Sequence, residues 1–198
     1  MEALKLDGVE VLGASVQAIV AGFQDASTLV SRLLLEQGMG KAGPNGKVII
    51  EPETWYPANR MLSAFRQVAE EVGGGVQFQI GLKVPENAKF PPSVKDTETA
   101  LASIDIAYHM NHRQAGKPMF DPASGKMAEG IGHYLHTRVA GKNESVVVCD
   151  NPYPCDFDRG LITAMARRFQ TAAFVLHDDT KPCRKKGGAA CTYLVRWF

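Results

Sequence analysis

The sequence predicts an α+β protein in which N-terminal helices pack on an antiparallel sheet and the C-terminal part runs β-β-α-β-β. Three observations carry this expectation. Apolar residues recur at helical spacing through the first half of the chain. Short β-branched runs crowd the last third, and one long helix signal divides those runs into two pairs. No repeat, low-complexity tract or linker interrupts the 198 residues, so a single domain over residues 1–198 is expected.

The elements follow in order. "ALKLDGVEVLG" reads as a strand or hairpin. In the next segment Val16, Ile19, Val20 and Phe23, then Leu29, Leu33 and Leu34, mark a helical region that ends at Gly38. "VIIEPETWYP" starts extended and turns at Pro52 and Pro57. Met61, Leu62, Phe65, Val68 and Val72 lie along one face of a helix that the three glycines 73–75 stop. "VQFQIGLKV" suits helix or strand by periodicity, and its setting between helices favours helix. "TETALASIDIAYHMNHR" is a helix with Thr97 as its expected cap, and "QAGKPMFDPASGKMAEG" is a polar loop. "IGHYLHTRVAG" and "ESVVVCDN" read as strands. In "PYPCDFDRGLITAMARRF", Asp156 and Asp158 suit a helix start and Arg167 and Arg168 a helix end, while Phe157, Leu161, Met165 and Phe169 share a face. "AAFVLHDD" and "CTYLVRWF" are the last two strands.

Composition narrows the function. Apolar residues make up 45% and charged residues 22%, and the net charge is +1. Neither nucleic acid nor an acidic membrane is thus expected as a partner on charge. No apolar run has membrane-spanning length, and the start lacks a signal-peptide pattern, so a cytoplasmic setting with reduced cysteines is expected.

Four cysteines occur. Cys155 stands at the mouth of the last long helix, while Cys183 and Cys191 flank the turn "CRKKGGAAC" before the final strand. If the last two strands are antiparallel neighbours, the turn brings Cys183 and Cys191 together, and His177 and Asp178 return towards Cys155. Three thiolates and one imidazole or carboxylate would form a tetrahedral structural zinc site, with Lys185 and Lys186 offsetting the charge. Cys149 in "VVVCDN" reads as a core residue. From the residues alone, a metal site and a set of small buried thiols both remain open.

The C-terminal third, "CDFDRGLITAMARRF…AAFVLHDD…CRKKGGAACTYLV", resembles the 4-vinyl reductase domain, a sensory α+β module related to haem nitric-oxide-binding and Golgi-tethering folds. The matching positions are Cys155, Phe157, Gly160, Asp178, Cys183, Gly187 and Cys191. The resemblance implies a structural zinc on Cys155, Cys183, Cys191 and an acidic residue. Asp178 is the first choice for that residue, with His177 and Asp179 as substitutes, because the "DDTKP" segment departs from the family spacing. It also implies a largely apolar cavity for a small, possibly aromatic, molecule, and a homodimer that signals through protein contacts. Trp55, Tyr108, His109 and Tyr134 are the candidate ligand-binding residues, and His112 beside Arg113 reads as exposed. Haem ranks second as a cofactor, for the chain carries no Tyr-x-Ser-x-Arg and no Cys-x-x-Cys-His. A reductase acting on a tetrapyrrole is the rival reading, with Cys149 as a reactive thiol, and a structural tether the third.

Overall fold

The structure, a computed structural model, describes residues 6–23, 27–73, 75–87 and 90–198. It is α+β, with helices packed against antiparallel sheets. The chain opens with strand β1 (Val9–Leu12), whose alternate residues Val9 and Val11 are buried. Helices α1 (Gly13–Gly22) and α2 (Ser27–Glu36) follow where one helical region was expected. Two short strands, β2 (Lys41–Ala42) and β3 (Val48–Ile49), form a hairpin, and β4 (Trp55–Pro57) leads into α3 (Ala58–Val72). Helix α3 buries Met61, Leu62, Phe65 and Val68, each contributing about 1.5–3 kcal/mol of burial. Val72 instead lies 45% exposed at its last turn. Gly73, at φ 89°, ends the helix as a left-handed-side residue that a Cβ would disfavour.

The "VQFQIGLKV" segment is helical, as α4 (Gly75–Lys83). The cap of helix α5 (Thr97–Met110) lies one residue before the expected Thr97. Asp96 is the N-cap: its carboxylate accepts from the Thr99 N–H at 2.8 Å, and the Thr99 hydroxyl reaches back in a capping box. The expected polar loop after α5 is partly a ladder. Strands β5 (His112–Gln114) and β6 (Lys117–Pro118) extend a first sheet of order β4-β1-β5-β6. Strands β7 (Phe120–Asp121) and β8 (Lys126–Met127) pair with each other. Segments this short and polar carry little periodic signal; pairing to β1 makes β5 a strand, and β6 in turn pairs to β5.

The C-terminal run matches its expected order. Strands β9 (Tyr134–Arg138) and β10 (Glu144–Cys149) precede α6 (Cys155–Arg167), and β11 (Phe174–His177) and β12 (Cys191–Arg196) follow it. They form an antiparallel sheet of order β11-β12-β10-β9. Phe157 and Met165 of α6 are buried, but Phe169 falls beyond the helix and is 36% exposed. Among the described residues, no helix is long and apolar enough to cross a membrane.

Helices α4 and α6 cross at two glycines. A Cβ on Gly160 would collide with the Phe78 carbonyl oxygen, and one on Gly81 with that of Phe157. Backbone on both sides leaves nowhere to move. Gly160→Ala is therefore expected to destabilise the protein by about 3 kcal/mol, the upper part of the overpacking range, read as a lowered urea midpoint. A variant as stable as the parent would show that the helices do not meet this closely.

Candidate metal centre and buried polar network

The turn that closes the chain is built to hold sulfur. Cys183 precedes a 3-10 turn (Arg184–Lys186) that is closed by Gly187 at φ 79°. A Cβ on Gly188 would lie 2.8 Å from the Cys183 nitrogen. The Gly188 and Lys186 N–H groups both donate to the Cys183 carbonyl at 2.9 Å. The paired glycines thus allow the backbone to fold over Cys183, and the chain re-enters as β12 at Cys191. The N–H of Arg184 points at the Cys191 sulfur at 3.4 Å. Cys155 sits at the first turn of α6 and supplies the third sulfur.

The three sulfurs form a compact triangle: Cys155 to Cys183 is 3.8 Å, Cys183 to Cys191 is 3.7 Å, and Cys155 to Cys191 is 3.1 Å. A tetrahedral zinc with Zn–S bonds of about 2.3 Å has sulfur–sulfur edges of about 3.8 Å, which two of the three sides match. All three residues are buried, and none forms a disulfide. Cys155 and Cys191 are electrostatically unequal. The Cys155 thiol hydrogen-bonds to Cys191 and holds its pKa low, helped by the N–H and guanidinium of Arg184 and by His177. The same contact pushes the Cys155 pKa up.

His177, at the end of β11, adjoins Cys191 of this triangle. Its Nε2 is buried and has no hydrogen-bond partner, while its Nδ1 lies 3.0 Å from the Asp179 carboxylate. Burial lowers the His177 pKa, but Cys191 and Asp179 outweigh it and raise it. An imidazole held by a carboxylate on one nitrogen leaves the other free for a metal, as in zinc-ligating histidines. Asp178, the first-choice fourth ligand from the sequence, is not brought to the cluster. Its carboxylate accepts from the Thr180 hydroxyl at 2.6 Å and the Thr180 N–H at 3.1 Å, tying the turn after β11. Strand alternation explains the difference: His177 ends the β11 pairing opposite Tyr193, and Asp178 begins the turn.

Cys149 lies directly across the β10–β12 ladder from Cys191. It is fully buried, and burial pushes its thiol pKa well up, which opposes a reactive thiolate. Lys185 reaches Asp156, and Cys155 and Cys183 also act on its charge. Asp158, read as a helix-start charge, is fully buried and paired with Arg184 from the cysteine turn. Arg184 also donates to Asn151 Oδ1 and the Tyr153 carbonyl, both at 2.9 Å. The sequence offered no spacing rule to connect residues 158 and 184; the turn does it.

Three of the four expected ligand-binding residues do meet, but as a packed network. Tyr108 and Tyr134 rings are 5.4 Å apart, and His109 adjoins Tyr108 at 5.2 Å. The Tyr108 hydroxyl donates to the Ile131 carbonyl at 2.7 Å, and that of Tyr134 to Asp158 at 2.6 Å. His109 is fully buried. Trp55 lies apart, on β4, under the Arg113 guanidinium at 4.8 Å, which Glu10 of β1 also holds. An apolar cavity of about 10 Å³ instead sits among α1, α2 and α3, lined by residues such as Val16, Phe23, Leu34, Met61 and Phe65. A groove of about 460 Å³ opens at the surface between α4 and α6, beside Leu82, Lys83, Met165 and Arg168.

His112, expected to be exposed, is buried. Its Nδ1 donates to the Tyr108 carbonyl at 2.7 Å, and its Nε2 accepts from the Tyr153 hydroxyl at 3.1 Å. Burial lowers its pKa to about 4. Between that value and the unfolded 6.5, the unfolded chain binds the proton and the folded one does not, so stability rises with pH through this window and is lost as pH falls. From pH 7 to pH 5 the loss is about 2 kcal/mol, removed in His112→Gln. Urea unfolding at both pH values checks it; equal pH slopes in both proteins would refute a neutral buried imidazole.

No family model matches the chain, and no curated protein does. Solved structures do match. An oxygen-binding H-NOX domain related to soluble guanylate cyclases, solved as its oxygen complex, is 15% identical with a TM-score of 0.60, over 93% of this chain and 94% of that one. An H-NOX protein from S. oneidensis in the Fe(II) ligation state is 16% identical with a TM-score of 0.58, over 94% and 96%. An H-NOX structure probing the function of haem distortion is 15% identical with a TM-score of 0.62, over 93% and 94%. At this identity the likeness is one of fold. It agrees with the relation to haem nitric-oxide-binding folds that the sequence suggested, whereas no match supports the 4-vinyl reductase assignment itself.

Proposed function

We propose that this chain is a regulatory module of H-NOX-like fold whose C-terminal half is pinned by a structural zinc on Cys155, Cys183, Cys191 and His177, and which binds a small apolar molecule and signals through protein contacts. One observation carries the metal part: three buried sulfurs drawn together, two of their three separations at tetrahedral-edge spacing, with His177 beside Cys191 as the nearest candidate for the fourth position. Four protein ligands leave no open position, so the ion would supply rigidity rather than Lewis acidity. Three thiolates and zinc leave one negative charge, beside Arg184 and Lys185. The binding part draws on the small-molecule binding of the H-NOX neighbours and on the apolar cavity within α1, α2 and α3. At about 10 Å³ that cavity holds about one water, so a ring-bearing ligand must part these helices. A thermal-shift screen of phenols, other aromatics and tetrapyrroles tests this: a hit should raise the melting temperature by mass action, and Ala64→Leu, which fills the cavity, should abolish the shift. Hits unaffected by Ala64→Leu would place the ligand elsewhere, and the absence of hits in every class would favour a tether that binds only proteins.

Haem is the second reading, favoured by the neighbours and by the unpartnered Nε2 of His109. The residues of this chain, as packed, do not fit a porphyrin. The hydroxyls of Tyr108 and Tyr134 are bonded within the protein, His109 is sealed from solvent, and the interior cavity is far smaller than a macrocycle. Adding haem and recording the absorption spectrum decides the matter: a Soret shift with one equivalent bound, lost in His109→Ala, would replace the apolar-ligand reading.

A further inference from the structure

We propose that the outer face of the C-terminal sheet is a self-association surface, on which a second copy of this chain packs sheet to sheet about a two-fold axis parallel to the strands. The two faces of this sheet differ in what covers them. Val147 and Tyr193 are fully buried on one side. There the Tyr193 hydroxyl donates to the Cys155 carbonyl at 2.8 Å, so α6 covers that side. The alternate residues of each strand point the other way. Cross-strand register sets them in rows. The central row carries Val146, Leu194 and Leu176. Leu135 and Val148 stand on one side of it, and Glu144 and Arg196 on the other. None of these residues is buried, and Leu135 and Leu176, on the two edge strands, are 51% and 46% exposed.

Charge identifies the occupant. Glu144 and Arg196 pair with each other, so these rows hold no unmatched charge for an acidic or basic partner. The face does match itself. Strands β12 and β10 are the central two in the order β11-β12-β10-β9. An axis running between them lays β12 of one copy over β10 of the other. Glu144 then faces Arg196 of the second copy and Arg196 faces its Glu144, while Val146 and Leu194 meet in the same reciprocal way. Each pairing occurs twice, as an isologous contact requires. Sheets stack in this manner about 10 Å apart, with strands within about 30° of one another. Size sets the strength. Four strands about 4.8 Å apart and about five residues long give each copy about 300 Å² in plan. An apolar patch of that size marks a contact site on a monomer. Two such faces fall short of the roughly 1,200 Å² of a standard stable interface, so the dimer is weak and forms at high concentration. The contact needs neither the zinc nor the small ligand.

Sedimentation equilibrium of the full chain as purified, from about 1 µM to about 1 mM, tests this. The expected result is a monomer at the low end and a dimer at the high end. Leu135→Glu and Leu176→Glu, both at exposed positions, should weaken association at least tenfold, whereas Met110→Glu, at an exposed apolar residue of α5, should not. Glu144→Arg should weaken it as well, and adding Arg196→Glu should restore it. Metal content should not change in these variants, because Cys191 lies on the covered side of the sheet, so loss of the dimer and loss of the metal are separate results. A monomer throughout overturns the proposal and leaves the face to a different protein. A dimer that Leu135→Glu and Leu176→Glu leave intact, or that Met110→Glu weakens equally, overturns the surface. A double charge swap that restores nothing overturns the axis.

Discussion

Cys191→Ser is expected to abolish zinc binding and unfold the C-terminal sheet, the largest single effect in this protein. The apparent binding free energy of a structural zinc is about 10–16 kcal/mol in small zinc modules, and zinc binding is folding where the site does not exist beforehand. Cys191 also opens β12, a central strand of the sheet, so the thiolate ties the ion to the core. Elemental analysis and far-ultraviolet circular dichroism, with and without chelator, provide the readout. Cys155→Ser and Cys183→Ser should behave alike, and Cys149→Ser should keep the metal. The fourth ligand has its own pair of variants: His177→Ala should lower zinc content, and Asp178→Asn should not. A metal-free, folded, chelator-indifferent wild type would remove the site. Zinc lost in Asp178→Asn but kept in His177→Ala would return the fourth position to the aspartate.

Arg184→Met should cost about 3–5 kcal/mol, the range for stripping one partner from a buried ion pair. Asp158 is wholly enclosed, and burial pushes its pKa up to about 6 even with the guanidinium beside it. Removing the cation leaves a carboxylate bonded only to the Tyr134 hydroxyl in that pocket, and it also strips partners from Asn151 and the Tyr153 carbonyl. Asp158→Asn combined with Arg184→Met should cost clearly less than the sum of the single changes, because the double variant buries no net charge. Urea unfolding of the four proteins measures the coupling. Additive costs would mean that the pair does not exist in solution. The pair matters beyond stability, since Arg184 follows Cys183 directly: the metal turn and the Tyr134–Asp158 network are joined by one residue.

The order of elements was legible wherever the apolar period was long. Helices α3, α5 and α6 and the two C-terminal strand pairs follow from recurrent apolar residues, acid at helix starts and glycine at ends, all of which act within one or two turns of chain. The ladder β5–β6 was not legible, since two- and three-residue polar strands have no period of their own and exist because β1 offers β5 backbone partners and β5 offers them to β6. Thr97 and Asp96 are adjacent good caps, and only the backbone dihedrals of Asp96 separate them.

The functional residues divide the same way. The sequence by itself pointed to Cys155, Cys183 and Cys191 as neighbours, because a helix start, a glycine turn and a strand start are local features that topology then superimposes. Tertiary structure alone decided the rest. Strand alternation puts His177 rather than Asp178 beside Cys191. Burial makes Asp158 a partner of Arg184 rather than a helix-start charge, and makes His112 neutral rather than exposed. It also makes Tyr108 and Tyr134 bonded core residues, because the energy of a polar group depends on which distant atoms replace water around it, and that is a property of the packed chain.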